Sequence, residues 1–172
     1  TGDGAYLEYE NGSGITMTSS RAAQGIYVTN STVIKNDGNI TVTGEGADLN
    51  NGATGIYASG KTSYDSSLGE STHEKVNIEN SGAIKVDGAY ATGISVNMGE
   101  LINTGKIDIT GMSSVGISSS NNYNSTVISK LENEGDITVT GDGGTKKNPY
   151  SNYYSSTDAA KGINSSSGDV YN

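Results

Sequence analysis

The nine residues Asn80-Ser81-Gly82-Ala83-Ile84-Lys85-Val86-Asp87-Gly88 carry the pattern that decides the fold. In this pattern, Asn-x-Gly-x-Ile-x-(Val/Ile)-x-Gly, apolar side chains alternate with polar ones, as in a strand with one buried face. The pattern returns at three other places, beginning at Asn36, Asn103 and Asn133. A self-similar chain of this kind is typical of a repeat architecture.

Two further elements accompany each copy of the pattern. An apolar residue stands two positions before the asparagine, namely Tyr9, Ile34, Ile78, Leu101 and Leu131. A Gly-Ile pair follows, at Gly25-Ile26, Gly55-Ile56, Gly93-Ile94, Gly116-Ile117 and Gly162-Ile163. A degenerate first copy contains Asn11, Ile15 and Met17. Each copy therefore holds three short strands that are separated by Gly or Asn corners.

These spacings predict an all-β parallel β-helix (solenoid) of about five coils, each with three short strands, and with loops inserted at its corners. The copies lie near residues 7–30, 34–58, 76–98, 101–119 and 131–165 of a single domain, 1–172. Since Val170-Tyr171-Asn172 opens a sixth copy, we expect the chain to be a fragment of a longer β-helix whose neighbouring coils are its partners.

The corner residues have predicted structural roles. Glycines recur where a corner needs a positive φ or has no room for a Cβ atom: Gly38, Gly82, Gly105 and Gly135. The asparagines before them are expected to form a ladder of amides from coil to coil: Asn36, Asn80, Asn103 and Asn133. A ligand-binding role for these asparagines is the alternative.

The apolar residues are predicted to form three core stacks. The first is Ile15, Ile40, Ile84, Ile107 and Ile137. The second is Met17, Val42, Val86, Ile109 and Val139. The third is Ile26, Ile56, Ile94, Ile117 and Ile163. A core this narrow needs few large residues, which agrees with the absence of Phe and Trp from the 172 residues.

Composition excludes several classes of protein. The net charge of −9, with 10 Lys and Arg against 19 Asp and Glu, argues against a nucleic-acid partner. No apolar run is long enough to span a membrane. The absence of cysteine excludes a disulfide framework and thiolate metal sites.

The copies differ mainly at two corners, where we expect loops at 45–54, 59–75, 118–129 and 142–161. These loops hold tyrosines among Ser, Asn and Gly, a mixture that supplies rigid contacts with adaptable polar neighbours. The candidate binding residues are Tyr150, Tyr153, Tyr154, Tyr64 and Tyr123. Such rings also suit stacking on sugars, and the alternative is that they fold back onto the outer faces.

The chain offers little catalytic or metal-binding chemistry. Arg21 is the only arginine and His73 the only histidine, and no Gly-x-Ser-x-Gly motif is present. We therefore expect neither an enzyme nor a cofactor or metal site. Gly44-x-Gly46-x-Asp48 has the spacing of a calcium-binding repeat, but such sites need tandem copies.

The repeat resembles the passenger region of classical (monomeric, type V) bacterial autotransporters, most of all the large fusobacterial surface adhesins. The resemblance covers essentially the whole chain and implies a right-handed β-helix that is exported through the outer membrane to the cell surface. It also implies a virulence function in adhesion, with a protein or glycan on host or bacterial cells as partner. The alternatives are a non-binding stalk and a passenger similar to vacuolating cytotoxins.

Overall fold

A computed structural model describes most of the chain, and every regular element in it is a β-strand. The described residues are 5–9, 14–20, 23–44, 52–121, 129–143, 145–147, 154–156, 159–166 and 168–172. Sixteen of the strands form three parallel sheets, and four form two antiparallel hairpins.

The three sheets, here called A, B and C, are visited in turn by successive strands. Sheet A is ordered β1 (Ala5–Tyr9), β4 (Ser31–Asn36), β9 (Val76–Asn80), β12 (Gly99–Asn103), β15 (Lys130–Asn133) and β20 (Asp169–Tyr171). Sheet B is ordered β2 (Ile15–Ser19), β5 (Ile40–Gly44), β10 (Ile84–Asp87), β13 (Ile107–Thr110) and β16 (Ile137–Thr140). Sheet C is ordered β3 (Gln24–Val28), β6 (Thr54–Ser59), β11 (Thr92–Asn97), β14 (Val115–Ser120) and β19 (Lys161–Ser165).

This order confirms the predicted parallel β-helix. One coil is a strand of sheet A, then one of B, then one of C, and five such coils precede β20. Each strand pairs with the equivalent strand of the next coil, so coils stack at the strand spacing of about 4.8 Å. The right-handed sense of the coil stays a prediction.

The three sheets share one apolar core, and the register confirms the predicted stacks. Met17, at the end of the second stack, is in register with Val42 but is 43% exposed and not part of the buried core. In sheet B, Ile84 lies opposite Ile40 on one side and Ile107 on the other. In sheet C, Ile94 lies between Ile56 and Ile117. These side chains are fully buried. Burying an isoleucine contributes about 1.5–3 kcal/mol, which allows a chain with few large apolar residues to hold a core.

The first coil differs from the prediction. Tyr9 lies opposite Asn36, and Leu7 lies opposite Ile34, so Leu7 and not Tyr9 holds the apolar position that the repeat predicted for Tyr9. Ile15 follows Tyr9 by six positions, whereas Ile40 follows Asn36 by four. The first corner therefore holds two additional residues, and the position equivalent to Asn36 falls on Tyr9.

Close packing, and not backbone conformation, explains why glycine stands at these corners. A Cβ atom on Gly82 would lie 2.0 Å from the carbonyl oxygen of Gly38, and one on Gly105 would lie 2.1 Å from that of Gly82. None of the four predicted corner glycines is among the described residues with positive φ. The expectation of a positive φ is therefore wrong at these corners, and the steric alternative is right.

The insertions leave from the two predicted corners, B to C and C to A. Two of them contain antiparallel hairpins, β7 (Lys61–Asp65) with β8 (Glu70–Glu74) and β17 (Thr145–Lys147) with β18 (Tyr154–Ser156). The loop predicted at 118–129 begins later, because residues 118–120 pair in register with residues 95–97. The predicted loop segments 45–51 and 122–128 lie outside the described residues.

Candidate functional site

The predicted asparagine ladder runs along one corner of the β-helix. The amide Nδ2 atom donates to Oδ1 of the next asparagine, over 2.7 Å from Asn36 to Asn80 and 2.6 Å from Asn80 to Asn103. It continues over 2.7 Å from Asn103 to Asn133 and 2.8 Å from Asn133 to Asn172. Because the four predicted asparagines are buried and their amides are bonded to one another, we assign them a structural role and not a ligand-binding one.

Each ladder asparagine also ties down its own corner. Nδ2 of Asn80 donates to the carbonyl oxygen of Gly82 over 3.0 Å, and Nδ2 of Asn103 donates to that of Gly105 over 2.9 Å. The asparagine ladder and the corner glycines therefore form one unit. Because each glycine lacks a Cβ atom, the carbonyl oxygen of the glycine in the preceding coil can approach it closely.

The β7–β8 hairpin is the best described of the insertions, and it carries Tyr64. The pairing Tyr64 with Ser71 and Thr62 with His73 places these four side chains on one face of the hairpin. The opposite face carries the charged residues Lys61, Asp65, Glu70 and Glu74. Tyr64 is 66% exposed and Leu68, in the turn, is 69% exposed.

The turn of this hairpin is closed by Asp65. Its Oδ1 atom accepts hydrogen bonds from the Ser67 hydroxyl over 2.6 Å and from the Ser67 amide over 2.8 Å. These bonds, the hydroxyl first, lower the pKa of the Asp65 carboxyl below its ordinary 3.8. Gly69 completes the turn with φ +67° and donates its amide to the Asp65 carbonyl over 2.8 Å.

The base of the hairpin is held by the next coil. The amide of Gly60 donates to the carbonyl oxygen of Asn97 over 2.9 Å, and the Thr62 hydroxyl lies 3.7 Å from the sulfur of Met98. On the other side of the base, Lys75 Nζ lies 2.8 Å from a carboxylate oxygen of Glu100. The hairpin is therefore a fixed projection with its tip in solvent.

The other predicted binding tyrosines are placed only in part. Tyr123, Tyr150 and Tyr153 lie outside the described residues. Tyr154 is the first residue of β18, and only its backbone is described. Of the five candidate binding tyrosines, Tyr64 alone therefore has a described side chain.

An aromatic pair on the outer face of sheet C was missed by the sequence analysis. The rings of Tyr27 and Tyr57 stack with centroids 4.8 Å apart and an interplanar angle of 13°. The signal was present, because Gly25-Ile26-Tyr27 and Gly55-Ile56-Tyr57 place both rings at the same position of consecutive coils. Burial, then the neighbouring Tyr27, raises the pKa of Tyr57, and a hydrogen bond with the Asn97 side chain opposes this.

The outer face of sheet A presents a different chemistry, made of ion pairs around an exposed isoleucine. Lys35 Nζ lies 3.3 Å from Glu79 Oε2, and Lys130 Nζ lies 2.9 Å from Glu132 Oε2. Ile102, 45% exposed, lines a shallow cavity of about 390 Å³ beside Lys35 and Glu79. Exposed pairs of this kind stabilise by only about 0–1 kcal/mol each.

Two other features are absent from the described residues, a metal-binding cluster and a membrane-spanning helix. No group of three or more His, Cys, Asp and Glu residues in the described part could hold a metal ion. Within the same residues, no helix is long and apolar enough to cross a membrane. His73 lies on β8, where its Nδ1 atom is 3.1 Å from the Thr62 hydroxyl.

Comparison with protein-family models, with curated proteins and with solved structures gives no significant match for this chain.

Proposed function

We propose that this chain is part of an adhesin exported to a bacterial cell surface, as a β-helix passenger of the autotransporter type. It binds a protein or a glycan on host or bacterial cells through corner insertions and outer faces. No catalytic step is part of this proposal.

The observation that carries the proposal is the β7–β8 hairpin. The equivalent corner of the following coil is closed by the single residue Met98, so the β-helix does not need fourteen residues of hairpin there. The hairpin adds nothing to the buried core and exposes Tyr64 and Leu68. A fixed scaffold with variable projecting loops is the usual arrangement of a binding protein.

A hairpin exchange tests the proposal. Residues 61–74 are replaced by a Gly-Ser-Gly linker between Gly60 and Lys75, which both contact the following coil at the hairpin base. The purified chain, immobilised on beads, is expected to bind host or bacterial cells, and the exchanged chain is expected to bind several-fold fewer. The urea unfolding midpoint of the coils should change little.

A point variant and its matched control refine the test. The double change Tyr64→Ala and Leu68→Ala removes the exposed apolar groups, and Thr72→Ala alters an exposed residue on the other face of the hairpin. We expect reduced adhesion for the first and unchanged adhesion for the second. Equal adhesion of a folded hairpin-exchanged chain would contradict a role of the hairpin. A chain that binds no cells at all would favour the stalk, and oligomers that enter cells would favour the toxin-like passenger.

A further inference from the structure

The stacked tyrosines of sheet C form a flat aromatic step on the outside of the β-helix. Tyr27 and Tyr57 lie opposite each other in neighbouring strands, with ring centroids 4.8 Å apart. This spacing equals that of the coils, so the two rings stack on each other in the same direction as their strands do.

The aromatic row stops after two coils. The positions that follow Tyr57 in register are Ser95, Ser118 and Asn164. A serine side chain is far shorter than a tyrosine ring, so the row drops from ring height to backbone height at Ser95. One face of Tyr57 stacks on Tyr27, and the next position in register on its other side is Ser95.

The charge distribution indicates what kind of molecule fits the step. The strands of sheet A carry Glu8, Lys35, Glu79, Glu100, Lys130, Glu132 and Asp169. The strands of sheet B carry Lys85, Asp87 and Asp108. Those of sheet C carry Lys161 alone, three coils away from Tyr57. In a chain of net charge −9, this face is therefore the neutral one.

The neighbouring rows of sheet C supply hydroxyl and amide groups in place of charges. Thr92 lies three positions before Ser95 on β11, and Ser118 and Ser120 lie on the next strand. An aromatic ring face beside neutral hydrogen-bonding groups matches a pyranose ring, which has a C–H face and hydroxyls around its edge.

We propose that the outer face of sheet C binds a neutral saccharide, with one sugar ring stacked on Tyr57 above Ser95. This inference rests on the proposed function, since it names the ligand class and the site of one outer face. The sugar ring takes the place that a third tyrosine would occupy in the row.

The test is binding of the purified chain to an array of neutral, sialylated and sulfated glycans, followed by titration of the best glycan. Neutral glycans are expected to bind, and Tyr57→Ala is expected to weaken the affinity about tenfold. Ser95→Tyr fills the step with a third ring and is expected to abolish binding, while tyrosine remains favourable in a strand. Tyr171→Ala, an exposed aromatic change on sheet A, is the matched control and should leave the affinity unchanged.

The outcomes separate this inference from the proposed function. A blank array, binding to anionic glycans alone, or binding unchanged in folded Tyr57→Ala and Ser95→Tyr chains would overturn the saccharide site. If the hairpin exchange still lowers cell adhesion in that case, the adhesin proposal stands without it. Urea unfolding checks that each variant is folded. If the Tyr57→Ala chain is unfolded, the binding of the Ser95→Tyr chain decides the test.

Discussion

At the scale of single residues, the ladder asparagines provide hydrogen-bonding partners for one another at a buried corner that water does not reach. Asn103 is 0% exposed, yet its amide has partners in the coils on both sides. Asn36 is the exception at the end of the ladder, since Tyr9 and not an asparagine stands in the equivalent position of the first coil. Its Oδ1 atom is buried and has no hydrogen-bond partner among the described residues.

We therefore expect Asn80→Ala to destabilise the chain by about 2–5 kcal/mol, because at least two buried groups lose their partners. The change removes the bonds to Gly82 and Asn103 and the bond accepted from Asn36. The measurement is the free energy of unfolding in urea. Asn77→Ala, on the exposed face of the same strand, is the control and should cost less than about 0.5 kcal/mol. Equal losses in both variants would contradict the structural role of the ladder.

At the scale of elements, the β7–β8 hairpin depends on its turn, because two strands alone are marginally stable. The lowered pKa of Asp65 links this turn to pH. A carboxyl whose folded pKa is below 3.8 stabilises the hairpin above pH 3.8. That contribution is lost as the pH falls through the lower, folded value.

We expect the amide resonance of Ser67 to move with pH, with a midpoint below 3.8, as the Asp65 carboxylate is protonated and releases its hydrogen bonds. NMR titration of this amide is the measurement. Asp65→Asn keeps a side-chain oxygen as acceptor and removes the titrating proton, so its Ser67 amide should not move. A midpoint at or above 3.8 in the unchanged chain would show that the turn does not favour the carboxylate.

The elements also show how far the sequence could predict the structure. Alternation such as Ile40-x-Val42 predicted the strands and their register, since a shift of one residue would turn the isoleucines outward. The hairpin was not predicted, because residues 61–74 lack an apolar alternation. The first coil was misread because Asn11 has the repeat spacing to Ile15, and only the pairing of Tyr9 with Asn36 reveals the longer corner.

The candidate sites were less predictable than the fold, for a physical reason. Tyr64 was named from the sequence because an aromatic residue in a polar loop has no core position to occupy. Tyr27 and Tyr57 do not stand out in the sequence, because a strand tyrosine has the pattern of an ordinary outward residue until neighbouring coils are aligned. Their stacking depends on contact between coils that are thirty residues apart in sequence, and single-strand patterns do not contain it.

At the scale of the whole molecule, the β-helix is a one-dimensional stack in which a coil contacts only its neighbours. Stability is then the sum of terms within and between coils, and the middle coils receive two interfaces each. The structure agrees with this description, because Ile94 is 0% exposed between two strands, whereas Ile163 on β19 is only partly buried. The same substitution should therefore have different effects along the axis.

We expect Ile94→Ala to cost about 2–5 kcal/mol, as for a buried isoleucine whose cavity cannot collapse. Ile163→Ala should cost about 1 kcal/mol, because its side chain has neighbours on one side only. Hydrogen exchange by mass spectrometry distinguishes the two further. The first variant should speed exchange in the coils on both sides of β11, and the second should speed it only near β14, β16 and β19. If the two variants weakened all coils equally, the chain would be unfolding as one cooperative unit, and coil-by-coil stacking would not describe its stability.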